Sequence, residues 1–177
     1  EEREEYELPV REDIPVYAGV DYGEILALAE GDADIILWDG GNNDLPFYEP
    51  DLMVVVADAL RPGHETGYHP GEANVLLADL LVVNKVDAAP PADVQRVVDA
   101  LTRLNPTATL LLAESPATLD DGPSLAGKRV LVIEDGPTIT HGGMPFGAGS
   151  VAASSTWVRS RSDMRALAAG AAALPED

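Results

Sequence analysis

The 177-residue chain has the length of roughly one domain. It is 46% hydrophobic and 24% charged, which is too apolar for a largely disordered chain. It has no cysteine, which excludes disulfides and thiolate chemistry, and its net charge of −20 opposes binding to nucleic acid or anionic membranes.

Only two of the eleven basic residues are lysines, Lys85 and Lys128. The acidity reads as a solubility charge, as an acidic partner-binding face, or as adaptation to high salt. In the last case a Debye length of about 3 Å at 1 M relieves self-repulsion. No apolar run reaches the roughly 18–20 residues of a membrane-spanning helix. The cytoplasm is therefore the expected compartment.

The chain opens on Glu1-Glu2-Arg3-Glu4-Glu5, a charge run and not a signal peptide. Val16–Val20 reads as extended. Tyr22–Glu30 carries Ile25, Leu26 and Leu28 at helical spacing, with Gly31 as a stop. Ile35–Trp38, Met53–Ala57, Leu80–Val83, Thr109–Leu112 and Val130–Ile133 are continuous apolar runs, which predicts strands buried on both faces. Ala92–Leu104 places Val94, Val97, Val98, Leu101 and Leu104 on one helical face, and Asn105-Pro106 ends it. Ser154–Asp177 reads as a tail or a short alanine-rich helix. Strands alternating with helices predict an α/β fold with a mostly parallel sheet flanked by helices. The core would span 1–153.

Polar residues follow the apolar runs: Asp39, Asp58, Asn84 and Glu134. In an open α/β sheet, ligands bind at that edge. Asp39, after four apolar residues, resembles the Walker B aspartate that holds Mg2+, and Gly40 and Gly41 would let backbone approach a phosphate. The alternative is a plain Gly-Asn-Asp turn. Asn84-Lys85-Val86-Asp87 has the Asn-Lys-x-Asp pattern with which GTP-binding proteins read the base; its alternative is a turn that caps a helix.

Asp58-Ala59-Leu60-Arg61-Pro62-Gly63-His64-Glu65 offers Arg61 as a fork for phosphate oxygens. A surface loop explains it equally well. The loop Glu134–Met144 groups Glu134 and Asp135 as metal ligands with Thr138 and His141 for phosphate contact or proton transfer. No Gly-x-x-x-x-Gly-Lys-[Ser/Thr] phosphate loop occurs anywhere in the chain.

Several longer runs together resemble the cyclic 2,3-diphosphoglycerate synthetase family. They are Tyr17–Tyr22, Trp38–Tyr48, Ala57–Glu65, Tyr68–Glu72, Asn84–Asp87 and Glu134–Met144. The resemblance spans about Tyr6 to Ala153. It implies a P-loop NTPase-like fold and an ATP-dependent ligase that closes 2,3-diphosphoglycerate into a cyclic anhydride, giving ADP and phosphate. It implies ATP and Mg2+, with K+ a further candidate, and a small phosphorylated substrate.

Under that reading Asp39, Glu134 and Asp135 hold metal. Asn84, Lys85 and Asp87 line the base pocket, with Gly40 and Gly41 at the phosphates. Arg61, His64, Thr138 and His141 meet the substrate. Family members are longer and carry their Walker A loop N-terminal to the region resembling Glu1–Tyr6. The chain thus reads as part of a larger synthetase, with a partner segment or a homo-oligomer supplying the phosphate loop. Two rival readings are a GTPase of the signal-recognition or metallochaperone type, favoured by Asn-Lys-x-Asp, and a non-catalytic nucleotide-binding fragment.

Overall fold

The computed structural model describes residues 3–40, 44–118, 128–133 and 144–155, together with Leu125 and Ile139. By contact density the chain divides into two units, Glu1–Ala113 and Glu114–Asp177. In the first unit the elements run α1 (Arg3–Arg11), α2 (Tyr22–Asp32), β1 (Val54–Asp58), α3 (His64–Gly67), α4 (His69–Leu77), β2 (Leu80–Asn84), α5 (Pro91–Leu104) and β3 (Thr109–Leu112). The second unit contains α6 (Ala148–Ser155), in which Ala152 is buried.

The strands form one parallel sheet in the order β1-β2-β3. Val54 lies opposite Leu80, and Leu80 opposite Thr109. The register therefore puts Val55, Leu81 and Leu110 on one face, followed by Ala57 and Val83. That face is the buried one. It packs with Val75 and Ala78 around α4, and with Val97 and Leu101 of α5, into a single apolar cluster. The opposite face is open: Val54, Val56 and Leu111 are 48%, 62% and 48% exposed.

Local chemistry explains the helices. Asp21 caps α2, its Oδ1 accepting the Glu24 N–H at 3.1 Å. The helix runs one residue beyond Gly31, and the Ala33 N–H closes it on Ala29 O. α5 begins at Pro91, where the missing N–H costs nothing, and carries Asp93 in its first turn and Arg103 in its last. It ends at Asn105, whose side chain is a buried hub. Nδ2 donates to Val75 O at 2.9 Å and Ala78 O at 2.8 Å, and Oδ1 accepts from Thr107 Oγ1 and the Ala108 N–H. One asparagine thus ties the end of α4 to the turn entering β3.

Two expected strands do not form ladders. Ile35–Trp38 has no strand partner among the described residues, and Ile35 and Leu37 are 79% and 87% exposed. Val130–Ile133, in the second unit, is likewise unladdered. An apolar run supplies strand propensity, whereas a ladder requires a neighbouring edge, which is a non-local condition. Conversely, α1 falls where the sequence reads as a charge run, α3 begins within the run read as a surface loop, and α4 lies where no element is expected. Pro70 near the start of α4 and Glu72 in its first turn are start signals that the motif reading passed over.

Candidate functional site

β1 and β2 end in register, with Asp58 opposite Asn84. Parallel pairing thus brings together two loops that lie far apart in sequence. Asp58 is the centre of the arrangement, and its side chain is only 12% exposed. One carboxylate oxygen, Oδ2, accepts from Arg61 Nε and from Lys85 Nζ, each at 2.9 Å. The other, Oδ1, accepts the Leu60 N–H at 3.0 Å. Burial pushes the Asp58 pKa up, but the bonds from Lys85 and Leu60 and the charges of Lys85 and Arg61 outweigh it. The net result is a carboxyl held below its usual range.

The backbone is equally constrained. Lys85 has φ +63°, left-handed for a non-glycine residue, a conformation retained only where surroundings enforce it. Here hydrogen bonds on both sides of the residue enforce it. The Lys85 N–H donates to Asn84 Oδ1 at 2.9 Å, the Ala59 N–H to Asn84 O, and the Val86 N–H to Ala113 O. The Lys85 carbonyl accepts from Ala88 and Ala89. Lys85 and Arg61 side chains remain 32% and 27% exposed. Two cations are thereby held side by side at the sheet edge, each with capacity for a further acceptor.

Next to this cluster runs an open groove of about 1290 Å³. Ile35–Trp38 and β1 line its apolar part, and Asp39, Gly40, Asp58, Arg61 and His64 its polar part. Asp39 is exposed. His64 opens α3, its ring edge-on to Tyr68 at 5.2 Å between centroids. Gly63 before it has φ +98°, and its N–H donates to Glu65 Oε2 at 2.8 Å. At Gly40 an added Cβ would come within 2.3 Å of the Trp38 ring. The room at this glycine is therefore taken by Trp38, which is itself edge-on to Phe47. That is a packing reason for the glycine, where the sequence suggested phosphate approach.

The structure thus brings Arg61, Asn84 and Lys85 together, and places Asp39, Gly40 and His64 with Arg61 around one groove. Asp87 follows within the same β2–α5 loop. Gly41, Glu134, Asp135, Thr138 and His141 lie outside the described residues. Asp58 was missed as a site residue. Its signal was available, since it ends β1 as Asn84 ends β2. Among the described residues no group of three or more histidines and carboxylates could hold a metal ion, and no helix is long and apolar enough to cross a membrane.

No protein-family model matches the chain, and no solved structure does. Among curated proteins it is similar to arginine synthetase ArcE of Thermococcus kodakarensis, at 55% identity over 170 residues. That match covers 96% of this chain and 38% of the relative, so the chain spans well under half of that protein's length.

Proposed function

We propose that the chain is the nucleotide-handling part of an ATP-dependent ligase, and that the partner substrate is arginine or a compound closely related to it. The likeness to a protein named as an arginine synthetase supports the ligase class. The groove's charge supports the substrate. Eight carboxylates line it, among them Asp39, Asp44, Asp51 and Glu65, against Arg61 and His64. Such a surface attracts a guanidinium, and any phosphorylated ligand there needs a cation to neutralise it. The cyclic-anhydride reading rests on the motif runs.

In this reading Arg61 and Lys85 orient the nucleotide phosphates, and Asp58 fixes both cations in place. Asn84 and Asp87 border the base. Mg2+ takes one or two carboxylates and completes its shell with water and phosphate oxygens, so the exposed Asp39 in the groove lining would suit it without a three-residue cluster. The ion would neutralise phosphate charge that an acidic chain cannot.

Titration calorimetry in molar KCl tests this, with MgATP, MgGTP, arginine and 2,3-diphosphoglycerate as separate titrants. Binding of MgATP and arginine is expected. Binding of 2,3-diphosphoglycerate with no arginine binding would restore the anhydride reading. A clear MgGTP preference would favour a GTPase, and no binding of either nucleotide would overturn the nucleotide-handling role for this chain alone.

A further inference from the structure

The groove has an aromatic part that nucleotide binding does not use. One face of the Phe47 ring is stacked on Tyr22, with centroids 4.5 Å apart and planes 12° from parallel, and Trp38 meets Phe47 edge-on at 6.4 Å. Phe47 is nevertheless 65% exposed. Phe47 and Trp38 line the groove and Tyr22 does not, so the uncovered face of Phe47 is the one toward the groove. A single exposed ring is ordinary, but here three rings fix one another and leave a π face open.

The segment that carries Phe47 also carries negative charge. Glu49 and Asp51 follow it, are exposed and line the groove. Neither has a cationic partner among the described residues, where the ion pairs belong to Asp58 and Asp93. Asn74 adds an acceptor to the same lining. Its side chain donates from Nδ2 to Asp44 O at 2.9 Å, which fixes which end of the amide is oxygen. The residue is 8% exposed, and its Oδ1 is buried with no partner among the described residues. A buried acceptor without a donor is uncommon and calls for one. Asp44 is three residues from Phe47, a reach of at most about 10 Å, so one small ligand can span both.

An open π face, carboxylates without cations and an acceptor without a donor have one complement: a cation with flat faces and several N–H groups. A guanidinium is planar, weakly hydrated and carries five N–H donors, whereas an ammonium is a compact, strongly hydrated point charge. We infer that this part of the groove is a guanidinium subsite. Phe47 and Trp38 lie against the cation, Glu49 and Asp51 neutralise it, and Asn74 Oδ1 accepts from it. That the guanidinium belongs to arginine rests on the function proposed above; the subsite itself rests on the rings, the two carboxylates and Asn74.

The test uses the full chain with W157F, which leaves Trp38 as its one tryptophan. Three probes are titrated in low-salt buffer, followed by Trp38 fluorescence and by calorimetry. They are arginine, agmatine (the same guanidinium without the carboxylate) and 1,5-diaminopentane, which carries two ammonium groups. Arginine and agmatine should change Trp38 emission saturably, and the diamine should bind about fivefold more weakly than agmatine. F47L keeps apolar bulk and removes the ring. It should weaken agmatine about fivefold, with the fold retained by circular dichroism, and should leave the diamine nearly unaffected. The NMR signal of the Asn74 side-chain amide should move when agmatine is added.

No Trp38 response to millimolar agmatine overturns the subsite. So does equal affinity for agmatine and the diamine, since bulk acidity would then explain the binding. Undiminished agmatine affinity in folded F47L overturns it as well. An unmoved Asn74 signal removes Asn74 from the site. Calorimetric binding of arginine with no Trp38 change removes the subsite and leaves the arginine reading standing. Agmatine binding that depends on Phe47, with no binding of arginine, does the reverse.

Discussion

Replacing Asp58 with asparagine isolates what holds the strand-end cluster together. The change keeps shape and removes charge. The wild-type carboxylate accepts Arg61 Nε and Lys85 Nζ at 2.9 Å and the Leu60 N–H at 3.0 Å, from a side chain 12% exposed. A hydrogen bond to a charged group contributes about 1.5–3 kcal/mol when well buried. Here both cations are partly solvated, so each pair is closer to about 1 kcal/mol after screening. With the backbone bond weakened as well, the expected loss is about 2 kcal/mol at pH 7. The pH dependence supplies the control. The Asp58 pKa is lowered in the folded protein, so its contribution is fully present above the unfolded value of about 4 and disappears as pH falls through the lower folded value. Urea unfolding of wild type and D58N should therefore differ by about 2 kcal/mol at pH 7, with the gap narrowing as pH falls below about 4. A gap that does not change between neutral and acid pH would mean that the carboxylate charge is not what holds the cluster. A gap below about 0.5 kcal/mol at pH 7 would mean that water replaces the carboxylate freely.

Asn105→Ala should cost about 2–4 kcal/mol by urea unfolding, because the buried carbonyls of Val75 and Ala78 lose their donor and have no route to water. Leu101→Ala, at a fully buried position in the apolar cluster of α5 and the sheet, should cost about 3 kcal/mol in the same assay, most of it the lost transfer free energy of the removed carbons with the cavity adding the rest. Raising KCl from 0.1 to 2 M should increase Tm by several degrees, since screening relieves repulsion in a chain of net charge −20. A Tm that stays flat or falls with salt would remove the high-salt reading of the acidity.

Much of this molecule was legible in its residue pattern. Strands β1, β2 and β3 and helix α5 were readable because their signals are local: continuous Val/Leu runs, one apolar helical stripe and Asn-Pro at its end. The α/β class followed from their alternation, and the strand-end position of Asp58 and Asn84 from where the apolar runs stop, whereas the run before Asp39 forms no strand among the described residues. The sequence did not reveal that Asp58 and Lys85 share a bond, since their proximity comes from the β1–β2 register. Nor did it reveal that Gly40 makes room for Trp38, or that Lys85 adopts a left-handed backbone. Those are consequences of packing around each residue. The fate of Ile35–Trp38 shows the same division. Its apolar run specifies a segment suited to a sheet, but a ladder is made by two strands. Which edges meet, and which edge stays open, is decided only when the chain is folded.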